Sequence, residues 1–237
     1  MLPLAILAGG LATRLRPISE KIPKSLIEVA GKPFIFHQLE YLRGQGIKNV
    51  VICTGYLGHM IKKVVGNGAT WDMKISYSDD GPDPLGTGGA IKHALPLLEE
   101  SFFVLYGDSY LPINFASVQK TFITSNKIGL MTILKNQNHW DKSNVEFVGE
   151  TIIEYNKLQL RPQMKYIDYG LCILHSSALI KYPNKQAFDL SLVYNRLSLS
   201  RELIGYEVFD RFYEIGSPQG ILDAQNYLLQ KTSRIDL

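Results

Sequence analysis

Short apolar runs punctuate the first half of the chain, at 4–7, 49–53, 74–78 and 102–106. They are partly β-branched and too short for helices, so each reads as a buried strand. The stretches 33–45, 56–65 and 89–98 between them read as helices, and Gly44 and Gly46 mark the end of the first. Alternation of this kind implies parallel strands joined by right-handed crossovers. A helix at 115–125 and a strand at 129–135 extend the series.

From about residue 136 the pattern changes. Segments 145–148 and 151–155 look like a hairpin turned at Gly149-Glu150, and 168–174 reads as a further strand. Short helices are expected near 177–182 and 190–198, a strand at 203–209, and a closing helix at 218–229 followed by a polar, frayed tail. There is no proline-rich linker, low-complexity tract or internal repeat. The second part therefore reads as a subregion built onto one sheet rather than as a separate domain.

Composition narrows the function classes. At 237 residues, 46% hydrophobic and 20% charged, the chain can bury a substantial core. A net charge of +3 carries no strong bias toward nucleic acid or membrane surfaces, and no apolar run approaches the roughly 20 residues of a membrane span. No secretory signal is visible, so a cytoplasmic location is expected. Cys53 and Cys172 lie in apolar runs and read as buried free thiols. His37, His59, His93, His139 and His175 show no metal-ligand spacing, and Trp71 and Trp140 read as packing or loop residues.

The chemistry concentrates just after the first strand. Leu7 leads into Ala8-Gly9-Gly10-Leu11-Ala12-Thr13-Arg14-Leu15-Arg16-Pro17, and Ile22-Pro23-Lys24 follows. Small residues let backbone N–H groups approach phosphate oxygens, and the cations offset their charge, so the segment suits a polyphosphate. Neither the dinucleotide fingerprint nor the P-loop spacing is present. A second glycine-rich run, Pro84-Leu85-Gly86-Thr87-Gly88-Gly89-Ala90, opens a helix whose first N–H groups are free to donate. Gly107-Asp108 follows the strand ending at Tyr106, and ligands of open α/β sheets sit at the carboxyl ends of strands.

Taken together, Gly-Gly-x-x-Thr-Arg-Leu-x-Pro followed by Pro-Lys, the Leu85–Ala90 run and Gly107-Asp108 resemble the sugar-1-phosphate nucleotidyltransferases over nearly the whole chain. The resemblance implies a Rossmann-like three-layer α/β/α fold with a mostly parallel mixed sheet and a small β-rich sugar-binding subregion. It implies one domain over 1–237, with 1–135 holding the nucleotide and 136–237 the sugar phosphate. By this resemblance Leu7, Ala8, Gly9, Gly10, Thr13, Arg14, Lys24, Gly86, Thr87, Gly88 and Gly107 contact the nucleoside triphosphate, with the second glycine run packing against the base. Arg14, Lys24 and Asp108 are the implied catalytic residues. Asp108 would bind Mg²⁺ together with Glu214, which stands where the family usually has aspartate. Direct coordination by Glu214 and action through water both stay open. Lys157 matches the lysine that holds the sugar phosphate. Asn156 and Asp168 depart from the family's residues at sugar-contacting positions, and Gly170 matches.

The implied reaction is in-line attack of a sugar 1-phosphate oxygen on the α-phosphorus of a nucleoside triphosphate, with release of pyrophosphate. The nucleophile is already an anion, so catalysis consists of bringing polyanions together and stabilising developing charge. Arg14 would hold the β and γ phosphates, and Lys24 would bridge phosphates near the reacting centre. Ser25 follows the lysine where thymidylyltransferases of the family carry glutamine, and Leu85–Ala90 is more similar to short guanylyltransferases acting on mannose or manno-heptose 1-phosphate. A guanylyltransferase of sugar-nucleotide and polysaccharide biosynthesis is therefore expected, without hexapeptide repeats or acetyltransferase activity. The alternatives are cytidylyl or uridylyl transfer to another sugar or alcohol phosphate, and a sugar-nucleotide-binding regulatory protein with weakened catalysis. The latter is motivated by Asn156, Asp168 and Glu214. The absent third glycine counts against a dinucleotide-dependent oxidoreductase. No nucleic-acid or membrane partner is implied, and homo-oligomerisation is left open.

Overall fold

Strand β1 (Leu4–Leu7) is an unbroken apolar run because neighbours cover it on both edges and both faces. The computed structural model of the chain describes residues 1–10, 15, 20–136 and 140–235. A small ribbon of β2 (Glu28–Val29) and β3 (Lys32–Pro33) leads into α1 (Phe34–Gly44). Gly46 ends that helix in the left-handed region at φ +80°: its N–H donates to Arg43 O and that of Ile47 to Leu42 O, a Schellman closure. Then come β4 (Asn49–Thr54), α2 (Gly58–Val65), β5 (Lys74–Asp79), α3 (Gly86–Ala94) and β6 (Ser101–Tyr106). The short β7 (Ser109–Tyr110), α4 (Phe115–Ser125) and β8 (Gly129–Lys135) complete the first part.

The second part contains the expected hairpin, β9 (Val145–Val148) and β10 (Thr151–Tyr155). It continues through β11 (Tyr166–His175), α5 (Ser191–Leu199), β12 (Leu203–Val208), β13 (Tyr213–Glu214) and α6 (Pro218–Ile235). Three expectations shift. The helix expected from residue 89 starts at Gly86, so its glycines form the first turn. The helix expected at 177–182 is a single 3-10 turn, Ser176–Leu179. The closing helix runs through Ile235 instead of fraying after residue 229.

Among the described residues, nine strands form one mixed sheet in the order β5-β4-β1-β6-β11-β8-β12-β10-β9. The pairs β5–β4, β4–β1, β1–β6 and β8–β12 are parallel, and β10 and β11 run against the others. The second part thus continues the sheet of the first.

Alternation along the strands sorts side chains to two faces. Leu4, Ile6, Val50, Ile52, Phe103 and Leu105 pack under α1, α2 and α4. Ala5, Val51, Cys53, Phe102 and Val104 pack under α3 and α5. Each buried valine, leucine, isoleucine or phenylalanine among them contributes about 1.5–3 kcal/mol relative to exposure. A third cluster joins Phe34, Tyr110 and Ile215 to Ala224 and Leu228 of α6, behind the carboxyl ends of the strands. Both cysteines are buried and unpaired, as expected, and burial pushes the Cys53 thiol up to about 12. Among the described residues no helix is long and apolar enough to cross a membrane.

Candidate active site

The loops after β1 and β6 touch. Gly107 N–H donates to Leu7 O at 2.9 Å, and a methyl on Gly107 would lie 2.9 Å from that oxygen and 3.2 Å from Ala8 Cβ. Only glycine allows this approach. It sets the Ala8-Gly9-Gly10 backbone beside Asp108. A cleft of about 380 Å³ opens there, lined by Leu7, Ala8, Gly9, Gly10, Lys24, Ser25, Gly86, Thr87, Gly107 and Asp108, among others. This volume falls within the usual range for a small-molecule site, roughly 300–1,000 Å³. Thr13 and Arg14 lie outside the described residues.

Lys24 opens a 3-10 turn, Lys24–Leu26, and its Nζ stands 2.6 Å from Asp108 Oδ2. Ser25 Oγ, also on the cleft, is buried and has no hydrogen-bond partner among the described residues. Strand β13 pairs with β7 so that Glu214 lies opposite Ser109, the neighbour of Asp108. A methyl on Gly216 would lie 3.4 Å from both Glu214 Oε1 and Lys24 Nζ, so both side chains border the space beside Gly216.

Among the described residues no three or more His, Cys, Asp or Glu side chains gather as a metal-binding group. Asp108 and Glu214 together still fit a divalent cation, because a magnesium ion uses one or two carboxylates and takes the rest of its shell from phosphate and water. The Lys24 ammonium against Asp108 shows that the position favours positive charge.

The second glycine run is used differently from the expectation. The N–H groups of Gly88 and Gly89 are not free: both donate to Phe188 O, at 2.9 and 3.3 Å. A methyl on Gly88 would fall 2.2 Å from the Phe188 ring, and one on Gly89 2.7 Å from Gln186 O. These glycines thus receive a strap over 186–190, which Thr87 Oγ1 closes by accepting the Leu190 N–H at 2.8 Å. Gly86 and Thr87 line the cleft, whereas Gly88 lies under the strap.

Asp80 was not singled out from the sequence. It lines the cleft, its Oδ2 accepts the Leu85 N–H at 3.2 Å, and its Oδ1 is buried without a hydrogen-bond partner among the described residues. Burial raises its carboxyl above the ordinary range, and the Leu85 N–H draws it partly back.

On the other side of Tyr106 lie the residues expected to meet the sugar phosphate. Strand β11 shifts register against β8 between Asp168 and Cys172, and Gly170 takes a left-handed φ of +106°. This bulge lets Gly170 N–H donate to Asp168 Oδ1 at 3.0 Å. Burial pushes the Asp168 carboxyl up; the Lys157 charge and the Gly170 N–H oppose this. Lys157 also acts on Asp189 of the strap. Burial first, and then the nearby Asp168, Cys172, Asp189 and Asp108 charges, hold the Tyr106 hydroxyl well above the ordinary tyrosine range. Asn156 is held within its own turn. Its Oδ1 accepts the Leu158 and Gln159 N–H groups at 3.0 and 2.9 Å, and its Nδ2 donates to Glu154 at 2.9 Å. It shapes the turn that carries Lys157.

Fold and site place a glycine loop, a lysine and an aspartate around one cleft at the carboxyl ends of the strands, the arrangement of an α/β protein with a small-molecule site. The chain belongs to the nucleotidyl transferase family, whose model matches residues 4–147, and the expectation of a sugar-1-phosphate nucleotidyltransferase stands. It is similar to the D-glycero-α-D-manno-heptose 1-phosphate guanylyltransferase of Campylobacter jejuni, 32% identical over 218 residues, 90% of this chain and 94% of that one. The N-acetylmuramate α-1-phosphate uridylyltransferase of Neisseria meningitidis is 38% identical over 117 residues, 49% of this chain and 51% of its own. The crystal structure of HddC from Yersinia pseudotuberculosis complexed with GMP-PN superposes with a TM-score of 0.75 at 26% identity, covering 96% of this chain and all of that one.

Proposed function

We propose that the protein transfers a guanylyl group from GTP to a mannose- or manno-heptose-type sugar 1-phosphate, with Mg²⁺, giving a GDP-sugar and pyrophosphate. The observation that carries this reading is Lys24 against Asp108 at 2.6 Å on the wall of a glycine-lined cleft. The full-length similarity to a heptose 1-phosphate guanylyltransferase supports the substrate pair. In this reading residues 1–135 hold the nucleotide and 136–237 the sugar phosphate, with β9, β10 and the β11 bulge forming the sugar-binding part.

The backbone of Ala8, Gly9 and Gly10 receives the triphosphate. Arg14 holds its β and γ phosphates, and Lys24 leaves Asp108 to bridge phosphates at the reacting centre. Asp108 and Glu214 would hold the Mg²⁺, which when bound neutralises charge on the α-phosphate and leaving group. Lys157 holds the sugar phosphate, and Asp168 and Asp189 accept from sugar hydroxyls. Asp80 favours guanine, which presents two adjacent donors, N1–H and the 2-amino group, to one carboxylate. Uracil and thymine present one N–H between two carbonyls and would set an oxygen against it.

A pyrophosphate-release assay across GTP, UTP, CTP and dTTP with mannose, manno-heptose, glucose and N-acetylmuramate 1-phosphates tests this. GTP with a manno-configured sugar phosphate should give the highest kcat/KM. A preference for UTP would overturn the assignment of the base.

A further inference from the structure

Asp108 sits where β6 ends and β7 begins, and this bend is held from three sides. Gly107 N–H reaches Leu7 O, and Ile215 N–H reaches Asp108 O, both at 2.9 Å. The third hold is a side chain far away in sequence. Gln38 of α1, only 2% exposed, donates from Nε2 to Tyr106 O at 3.0 Å and to Ser109 O at 2.8 Å. These two carbonyls flank Gly107-Asp108. Gln38 Oε1 is itself buried with no hydrogen-bond partner among the described residues.

That orphaned oxygen argues against a packing role. A buried acceptor without a partner is destabilising, and leucine or methionine would fill the space without one. What glutamine alone supplies at this length is a neutral group with two hydrogens, one for each carbonyl. Glutamate would turn acceptors toward two acceptors. Because Ser109 pairs with Glu214, the same amide sets the spacing of both carboxylates.

We propose that Gln38 is a positioning residue for the divalent-metal centre: by clamping Tyr106 O and Ser109 O it fixes the direction in which Asp108 presents its carboxylate. It touches no substrate and acts only through the bend. The inference rests on the nucleotidyl-transfer reading and goes beyond it by assigning a residue of α1 to the metal centre.

The test is Mn²⁺ titration of the full chain in the presence of GTP, followed by electron paramagnetic resonance, for wild type, Gln38→Met and Gln38→Glu. Both variants should bind Mn²⁺ about 10-fold or more weakly, the usual effect of removing a group that orients a metal ligand. The KM for the sugar 1-phosphate should stay within about twofold, since that side of the site lies across Tyr106. Wild-type Mn²⁺ affinity in a folded variant would overturn the proposal. If the methionine variant does not fold, the volume-conserving glutamate variant carries the test; failure of both to fold assigns Gln38 a structural role instead and also overturns it. A wild type that binds no Mn²⁺ with GTP and releases no pyrophosphate refutes the underlying reading, whereas an active wild type with unaffected variants refutes only the clamp.

Discussion

Lys24 Nζ and Asp108 Oδ2 lie 2.6 Å apart although 84 residues separate them. The lysine comes from the turn that follows the first glycine loop, the aspartate from the bend after β6. The ion pair keeps a cation on the Asp108 carboxylate and a lysine on the wall of the cleft. Lys24→Ala should therefore lower kcat by about 100-fold or more, the scale of removing one preorganised charge-stabilising donor, while the circular-dichroism spectrum is unchanged. Full turnover in the alanine variant would remove Lys24 from the mechanism.

Asp80 carries the prediction on base choice. Asp80→Asn replaces an acceptor-only group with one that also donates, so the pairing with guanine is lost. The GTP-to-UTP ratio of kcat/KM should fall about 10- to 100-fold, in line with roughly 1–3 kcal/mol for a two-bond base contact. An unchanged ratio would mean that backbone groups read the base.

Asp168 predicts a trade between stability and activity. Burial raises its carboxyl above the ordinary range. The folded chain thus keeps this proton where the unfolded chain has released it, and stability falls as pH climbs from the unfolded value through the raised folded one. Asp168→Asn removes that penalty. Its Tm should exceed wild type by a few degrees at pH 7–8, at about 2–4 °C per kcal/mol for a chain of this size, and the gain should vanish near pH 4. Meanwhile kcat/KM for the sugar phosphate should drop. A Tm gain at low pH only would reverse the sign of the argument.

The strap makes the most direct packing prediction. Gly88→Ala sets a methyl 2.2 Å from the Phe188 ring, which is stacked on Tyr182 with centroids 4.5 Å apart. Overpacking of about 2 kcal/mol should lower Tm by about 4–8 °C in calorimetry. Phe188→Ala removes the obstructing ring, so the double variant should be less destabilised than the sum of the two single changes. Strict additivity would show that the ring does not meet position 88.

Much of this was legible in the chain itself. The runs at 4–7 and 102–106 read as strands because burial on both faces keeps them almost wholly apolar, and those at 49–53 and 74–78 because they are short and bounded by turns. Gly9-Gly10, Lys24 and Gly107-Asp108 were visible because a polyphosphate site demands small residues and cations at short spacing after a strand. Gln38 and Asp80 were not. Gln38 looks like an ordinary polar position on a helix, and only its approach to Tyr106 O and Ser109 O, 68 and 71 residues away, gives it a role. The glycines at 88 and 89 were legible as places of close approach, but the sequence could not say that Phe188 approaches them. The part Asn156 plays in its own turn, accepting the Leu158 and Gln159 N–H groups, was likewise not legible.

By itself, then, the sequence determined the α/β alternation, the glycine loops and the family, since each depends on periodicity or on residues close together in the chain. Only the tertiary structure decided that Lys24 meets Asp108, how β11 bulges at Gly170, and what covers the second glycine run. Those outcomes depend on strand order and on side chains that meet across tens of residues, and local composition carries no record of such meetings.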